Sequence, residues 1–131
     1  NNFEYDAAPT HTKSFSRACF VISDSSTSAF TFSFSTLRPV IFYQAQGTSS
    51  HHYLFGEKYE SPRSYIGVIV SNIDQLLHHS NKFLATPHIF SKEILDFRNK
   101  YYFNVGNVEN KCIEYIKSIL SDKHENSWSI H

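Results

Sequence analysis

Residues 18–43 decide the fold, and their sequence is ACFVISDSSTSAFTFSFSTLRPVIFY. The stretch opens with a short apolar run, Cys19 to Ile22, and closes with a second one, Val40 to Tyr43. Uninterrupted apolar runs of this length are typical of strands buried on both faces, as in the centre of a parallel sheet. We therefore predict that both runs are strands of one parallel sheet.

The segment between the two runs fits the period of a strand and also that of a helix. Its three phenylalanines alternate with small polar residues, as in a strand. A helical face is also present, made of Ala29, Phe30, Phe34 and Leu37, and a Ser/Thr cluster precedes it as an N-cap does. We predict a helix over Thr27 to Leu37, because neighbouring parallel strands require a crossover connection of about a dozen residues.

The other elements follow from the same periodicity reasoning. In chain order we predict a polar linker or loop over 1–16, a long loop over 44–64, a third strand over 65–70, helices over 73–84, 92–101 and 108–120, and a frayed tail over 122–131. The side chains expected to face inward from the first and last of these helices are Ile73, Leu76, Leu77 and Phe83, and Cys112, Ile113, Ile116, Ile119 and Leu120. The predicted fold class is α/β: a Rossmann-like, three-layer domain over 17–121 with a small parallel sheet.

Length and composition exclude several classes of protein. A chain of 131 residues is typical of one domain. Its 12 basic and 12 acidic side chains balance, so nothing in the charge predicts a nucleic-acid or anionic-membrane partner. No apolar run approaches the ~20 residues that a membrane span requires. The absence of Met, even at position 1, predicts that the numbering begins inside a longer protein. Cys19 and Cys112 are interpreted as buried free thiols in a reducing compartment, which favours the cytoplasm.

The sharpest local feature is a strand that ends at Ser23-Asp24 and is followed by hydroxyl side chains at a helix start. A helix N-terminus exposes unpaired N–H groups and about half a positive charge, so it binds phosphate without any net basic charge. Charge-assisted hydrogen bonds contribute roughly 1.5–3 kcal/mol each, so three of them support binding in the millimolar to micromolar range. The predicted phosphate-binding residues are Asp24, Ser25, Ser26, Thr27 and Ser28. The alternative is that these residues only cap the helix.

Residues 18–43 also carry a family resemblance. An apolar strand ending in an Asp and paired serines, then a helix, then a large apolar residue, Arg, Pro and an apolar strand, resembles the C-terminal domain of CDP-glycerol glycerophosphotransferases and related capsule and teichoic-acid polymerases. The segment Ile66 to Asn72, with Asp74, Leu76 and Leu77, is similar to the strand and helix that follow the variable loop in that family.

The resemblance implies a fold, a donor and a partner. The fold would be the C-terminal half of a two-Rossmann (GT-B type) glycosyltransferase from a bacterium, with Ser25 and Ser26 at the phosphates of the donor nucleotide. The donor would be a CDP- or UDP-linked sugar or polyol and the acceptor a growing surface polysaccharide. A missing N-terminal Rossmann half would supply the catalytic base, so no catalytic residue is assigned in this chain. The parent protein would be cytoplasmic, with the inner face of the membrane as the alternative location.

Histidine and arginine side chains are the other candidates for metal or phosphate binding. The adjacent pairs His51-His52 and His78-His79 lack the i, i+4 spacing of helical metal ligands, so we predict no metal site, and no cofactor. His11 could reach the ligand cleft, and Arg38 and Arg63 could pair with phosphate, although solvated surface is the plainer interpretation of all three. Two other classes of function remain open: a stand-alone nucleotide- or anion-binding module without catalysis, and a purely structural α/β domain.

Overall fold

A computed structural model of the chain describes residues 4–24, 26–44, 60–102 and 106–120. Ser25, most of the predicted loop over 44–64 and the predicted frayed tail over 122–131 lie outside these residues. The elements in chain order are α1 (Thr12–Arg17), β1 (Val21–Ser23), α2 (Ser28–Thr36), β2 (Val40–Tyr43), α3 (Glu60–Ile66), β3 (Gly67–Val70), α4 (Ile73–Ala85), α5 (Ser91–Tyr101) and α6 (Val108–Leu120).

The three strands form one parallel sheet in the order β1-β2-β3. Val40 of β2 is in register with Val21 of β1 on one side and with Gly67 of β3 on the other. The predicted parallel pair and the helix that joins it are therefore confirmed. The structure has a mixed α/β architecture with a small open parallel sheet, consistent with a Rossmann-like fold.

Helices cover both faces of the sheet, because successive residues of β2 point in opposite directions. Val40 and Phe42 lie in a buried cluster with Ala29 and Phe32 of α2 and with Ile94 of α5. On the other face, Ile41 packs with Val70 of β3 and Phe83 of α4. All four side chains of β2 are apolar or aromatic, so β2 packs against helices on both faces of the sheet.

The expected elements are wrong at three places. Residues 60–64, predicted as the end of a long loop, belong to α3. The segment predicted as a linker over 1–16 contains most of α1, whose Phe15 packs edge-on against Phe32 of α2 with ring centroids 5.3 Å apart. The third strand begins at Gly67 and not at Tyr65, because Tyr65 and Ile66 end α3. α3 runs directly into β3 without a turn residue, so no local sequence signal separates the two elements.

The predicted inward faces are wrong in part. Leu76 and Phe83 of α4 do pack on the sheet, whereas Ile73 and Leu77 are more than half exposed. All five residues expected to face inward from α6 are exposed, including Cys112, which was also expected to be a buried thiol. Within α2 the most buried aromatic ring is that of Phe32, which lay outside the predicted helical face.

Two compact units make up the chain, Asn1–Arg98 and Asn99–His131. The first unit contains the whole sheet and both buried clusters, whereas α6 belongs to the second. Among the described residues, no helix combines the length and the apolar character needed to cross a membrane.

Candidate functional site

The carboxyl ends of the three parallel strands define one edge of the sheet. β1 ends at Ser23, β2 at Tyr43 and β3 at Val70, and the register brings these ends to similar heights. Because α2 follows β1 and α4 follows β3, both helices begin at this edge. In open α/β sheets, ligands bind in the crevice outside the carboxyl ends of the strands. A ligand-binding site is therefore expected at this edge.

The N-terminus of α2 presents hydroxyl groups to solvent. Ser26 and Thr27 are exposed and Ser28 is half-buried. The hydroxyl oxygens of Ser26 and Ser28 lie 2.7 Å apart, within hydrogen-bond distance, and Ser26 Oγ also accepts a bond from the Ser28 N–H at 3.3 Å. Thr27 is the N-cap residue, and its side chain makes no capping bond. Three of the five predicted phosphate-binding residues are thus brought together at one helix end.

The electrostatics at this end come from the backbone and from one nearby carboxylate. The first turn of α2 contains no acidic residue, so its partial positive charge is not neutralised from within the helix. The N–H groups of Ala29 and Phe30 turn back to the carbonyl oxygens of Ser26 and Thr27, at 3.2 and 3.1 Å. Asp24 follows the last residue of β1, is exposed, and has an interaction of its own. Ser25, the fifth predicted residue, lies outside the described part of the chain.

The N-terminus of α4, at the same edge, is filled by its own side chains. Asn72 Oδ1 accepts a hydrogen bond of 2.9 Å from the Gln75 N–H. In return, Gln75 Oε1 accepts bonds from the N–H and the hydroxyl of Ser71, at 2.9 and 3.4 Å. The role of Gln75 in this reciprocal cap was not predicted. The sequence signal was present as a polar cap residue followed three positions later by Gln.

Arg38 binds backbone carbonyl groups of the segment that precedes β1. Its Nη1 donates hydrogen bonds to the carbonyl oxygens of Ser16, at 3.1 Å, and Ala18, at 2.7 Å. The guanidinium thereby holds the C-terminal end of α1 beside the start of β2. The solvated-surface interpretation of Arg38 is too simple, because its acceptors are backbone atoms about 20 residues earlier in the sequence, and its pairing with phosphate stays a prediction.

Arg63 of α3 is half-buried, with its guanidinium carbon 5.2 Å from the centre of the Phe42 ring. This is the distance of a cation–π contact. Phe42 is in register with Ser23, the last residue of β1. The solvated-surface interpretation of Arg63 is therefore too simple, and its pairing with phosphate stays a prediction.

The histidines within the described residues do not assemble a metal site. No group of three or more His, Cys, Asp or Glu side chains in that part of the chain is arranged to hold an ion. His11 stacks on Phe15, with ring centroids 5.5 Å apart. His78 and His79 meet edge to face at 5.1 Å, and the pair His51-His52 lies outside the described residues.

Comparisons with known proteins add nothing to this geometry: no model of a protein family, no curated protein and no solved structure matches the chain. The exposed N-terminus of α2 is the candidate site on the strength of its own chemistry.

Proposed function

We propose that this chain is the donor-nucleotide-binding part of a transferase that moves a sugar or a polyol phosphate from a CDP- or UDP-linked donor to a growing surface polysaccharide. The observation that carries the proposal is the exposed, hydroxyl-bearing N-terminus of α2 at the carboxyl edge of a parallel sheet. The resemblance of residues 18–43 to CDP-glycerol glycerophosphotransferases supports the choice of donor. In this proposal the domain corresponds to the C-terminal half of a GT-B enzyme.

The donor diphosphate would lie over the first turn of α2. Hydroxyl groups of Ser26 and Thr27 donate to phosphate oxygens there, and the positive end of the helix dipole attracts the phosphate charge. Ser28 supports them, since its hydroxyl and its N–H both meet Ser26 Oγ. During transfer the nucleotide leaves with its phosphate charge, and fixed dipoles aimed at that charge stabilise the transition state. The base that activates the acceptor hydroxyl would come from a partner Rossmann-like domain.

One contact favours a purely structural role instead. The bond from the Ser28 N–H to Ser26 Oγ satisfies one of the helix-start donors internally, as a cap does. Substituting Ser26 by Ala would then cost about 1 kcal/mol in the free energy of unfolding and change no binding. The two roles therefore predict different results for the same variant.

Titration of the isotopically labelled protein with CDP and UDP, followed by NMR, separates these roles. We expect amide shifts at residues 26–30 with a Kd between micromolar and millimolar, and no such shifts with cytidine or uridine, which lack the phosphates. Ser26→Ala should weaken CDP binding roughly tenfold or more, because a hydrogen bond to a charged group is lost. The matched control is Ser71→Ala at the self-capped N-terminus of α4, which should bind CDP as the unsubstituted protein does. Absence of shifts at residues 26–30 would refute the donor site.

An activity measurement separates the transferase from a stand-alone binding module. We expect a polypeptide that joins this chain to a partner Rossmann-like domain to release CMP or UDP from an activated donor when a polyol-phosphate acceptor is supplied. A binding module would hold the nucleotide and release no product in the same assay. Ser26→Ala should lower turnover in the joined polypeptide. If Ser26→Ala binds CDP normally and turns over at the unsubstituted rate, the proposed role of Ser26 is contradicted.

A further inference from the structure

His79 lies on the side of α4 that packs on the sheet, between Leu76 one turn earlier and Phe83 one turn later. Its ring is 6.0 Å from the ring of Phe83, centroid to centroid. Phe83 itself is fully buried in the cluster with Ile41 and Val70. The Nδ1 atom of His79 is buried and has no hydrogen-bond partner among the described residues. One titratable group thus sits in the contact between a helix and the sheet that it covers.

The surroundings of His79 disfavour the protonated ring. A protonated imidazole carries N–H donors on both nitrogens, and a buried donor without an acceptor destabilises the folded state. The side chains that the sheet and its flanking segments present to this cluster are apolar or carry an uncharged phenol; they are Phe20, Ile41, Tyr43, Val68, Val70 and Phe90. On α4 itself the charge-bearing neighbours are His78 and Lys82, whose positive charges repel a second cation. Among the described residues, the interactions that act on the pKa of His79 include none with a carboxylate.

We propose that His79 makes α4 a pH-sensitive cover of the sheet, which opens more often when the ring takes up a proton than while the ring is neutral. Opening exposes Nδ1 to water, which then accepts its hydrogen bond, and uncovers Ile41 and Val70. Because α4 begins at the carboxyl edge of the sheet, its opening also changes the structure at that edge. The inference concerns the packing of α4 and does not depend on the nature of the ligand at α2.

The direction of the pH effect follows from linkage. Burial, followed by the charges of His78 and Lys82, lowers the pKa of His79 below its ordinary value of 6.5. The open state, in which the ring is solvated, therefore binds a proton at a higher pH than the closed state does. The contribution of His79 to the stability of the closed state is fully present above pH 6.5 and is progressively lost as the pH falls from 6.5 toward the lowered pKa of the closed state. Between pH 7.5 and pH 5.5 the equilibrium constant for opening rises by at most about tenfold from this one group.

Amide hydrogen exchange, expressed as protection factors at pH 7.5 and pH 5.5, measures this opening. We expect the protection of α4 amides to fall several-fold at pH 5.5 relative to the amides of α2, which serve as the internal reference. His79→Gln keeps a polar side chain that does not titrate, and α4 should then be equally protected at both pH values. The matched control is His78→Gln, one residue away and exposed, which should retain the loss of protection.

Three results would overturn the proposal. One is that α4 and α2 lose the same protection in the unsubstituted protein. Another is that His79→Gln responds to pH as the unsubstituted protein does. If His79→Gln does not fold, an NMR titration of the ring protons in the unsubstituted protein decides instead, because a pKa of 6.5 or above for His79 removes the physical basis of the cover.

Discussion

Gly67 is the position in the sheet where a side chain cannot be accommodated. It opens β3 in register with Val40 of β2, and a Cβ built on it would lie 1.8 Å from the carbonyl oxygen of Val40 and 2.7 Å from the carbonyl carbon. These are backbone atoms of a central strand, buried on both faces, so they cannot move aside without breaking the pairing. The glycine is therefore required by the close approach of β2 and β3.

We predict that Gly67→Ala destabilises the protein on the order of 4 kcal/mol or more, as overpacking against rigid backbone does. Urea unfolding followed by circular dichroism measures the free energy of unfolding, and loss of soluble protein is the extreme of the same result. Val68→Ala, at the next and half-buried residue, is the control, with an expected loss of about 1–2 kcal/mol from the removed methyl groups. A Gly67→Ala protein as stable as Val68→Ala would show that the strands separate easily here.

The candidate site shows what single residues reveal in a sequence and what they do not. Ser26, Thr27 and Ser28 were predicted as a group, because consecutive hydroxyl residues between an apolar strand and a helix lie together at the start of that helix. The role of Arg38 was not predictable from the sequence. The carbonyl groups of Ser16 and Ala18 come within reach of its guanidinium only after β1 and β2 pair. Local sequence predicts which polar groups lie together at a helix start, whereas it does not predict long-range hydrogen bonds.

Hydrogen bonds from α5 hold the C-terminal end of α2. Arg98 Nη1 donates to the carbonyl oxygen of Phe34 at 2.6 Å, and the Ser91 hydroxyl donates to the carbonyl oxygen of Leu37 at 3.0 Å. Carbonyl groups in the last turn of a helix lack partners within the helix, and a cation also interacts favourably with the negative end of its dipole. Leu37 ends α2 with a left-handed backbone, φ 54°, so this helix end is further constrained. α5 thus fixes the end of α2 opposite the candidate site.

We predict that Arg98→Ala lowers the free energy of unfolding by about 2 kcal/mol, because a partly buried carbonyl loses a charged donor. The control lies on the same helix: Lys92 pairs with Asp96 at 2.6 Å on the exposed surface, and Lys92→Ala should leave the urea midpoint essentially unchanged. Arg98→Lys should recover only part of the loss, because a single ammonium reaches one acceptor less well than the planar guanidinium does. Equal midpoints for Arg98→Ala and Lys92→Ala would mean that α5 does not stabilise the end of α2.

At the scale of elements, periodicity predicted where helices run better than which sides they bury. The predicted and observed bounds of the last helix coincide at Val108–Leu120, and those of the second strand coincide at Val40–Tyr43. The exposed Ile73 and Leu77 were expected to be inside, because an apolar stripe marks a face but not the neighbour that would cover it. α3 was missed because its Tyr65 and Ile66 continue smoothly into the apolar residues of β3.

At the scale of the whole molecule, burial is concentrated in the first compact unit. Both buried clusters, including their partly buried neighbours, are formed by residues between Phe15 and Phe97. α6 belongs to the second unit and contains no buried residue, although Ile113, Ile116 and Ile119 recur at helical spacing. Since apolar area removed from water is the main favourable contribution to folding, the first unit accounts for most of the stability that the described residues show.

A protein that ends at Tyr102 should therefore keep the thermal midpoint of the whole chain within a few degrees, and its α2 amides should keep their exchange protection. The informative comparison is Phe15→Ala in the whole chain, because Phe15 packs on Phe32 and its truncation removes apolar contacts from the first cluster. We expect Phe15→Ala to cost about 2 kcal/mol, less than the 3–5 kcal/mol typical of a fully buried Phe because this ring is only half-buried. If ending the chain at Tyr102 lowers the midpoint more than Phe15→Ala does, then residues 103–131 contribute to the folded core, and the first unit is not self-sufficient.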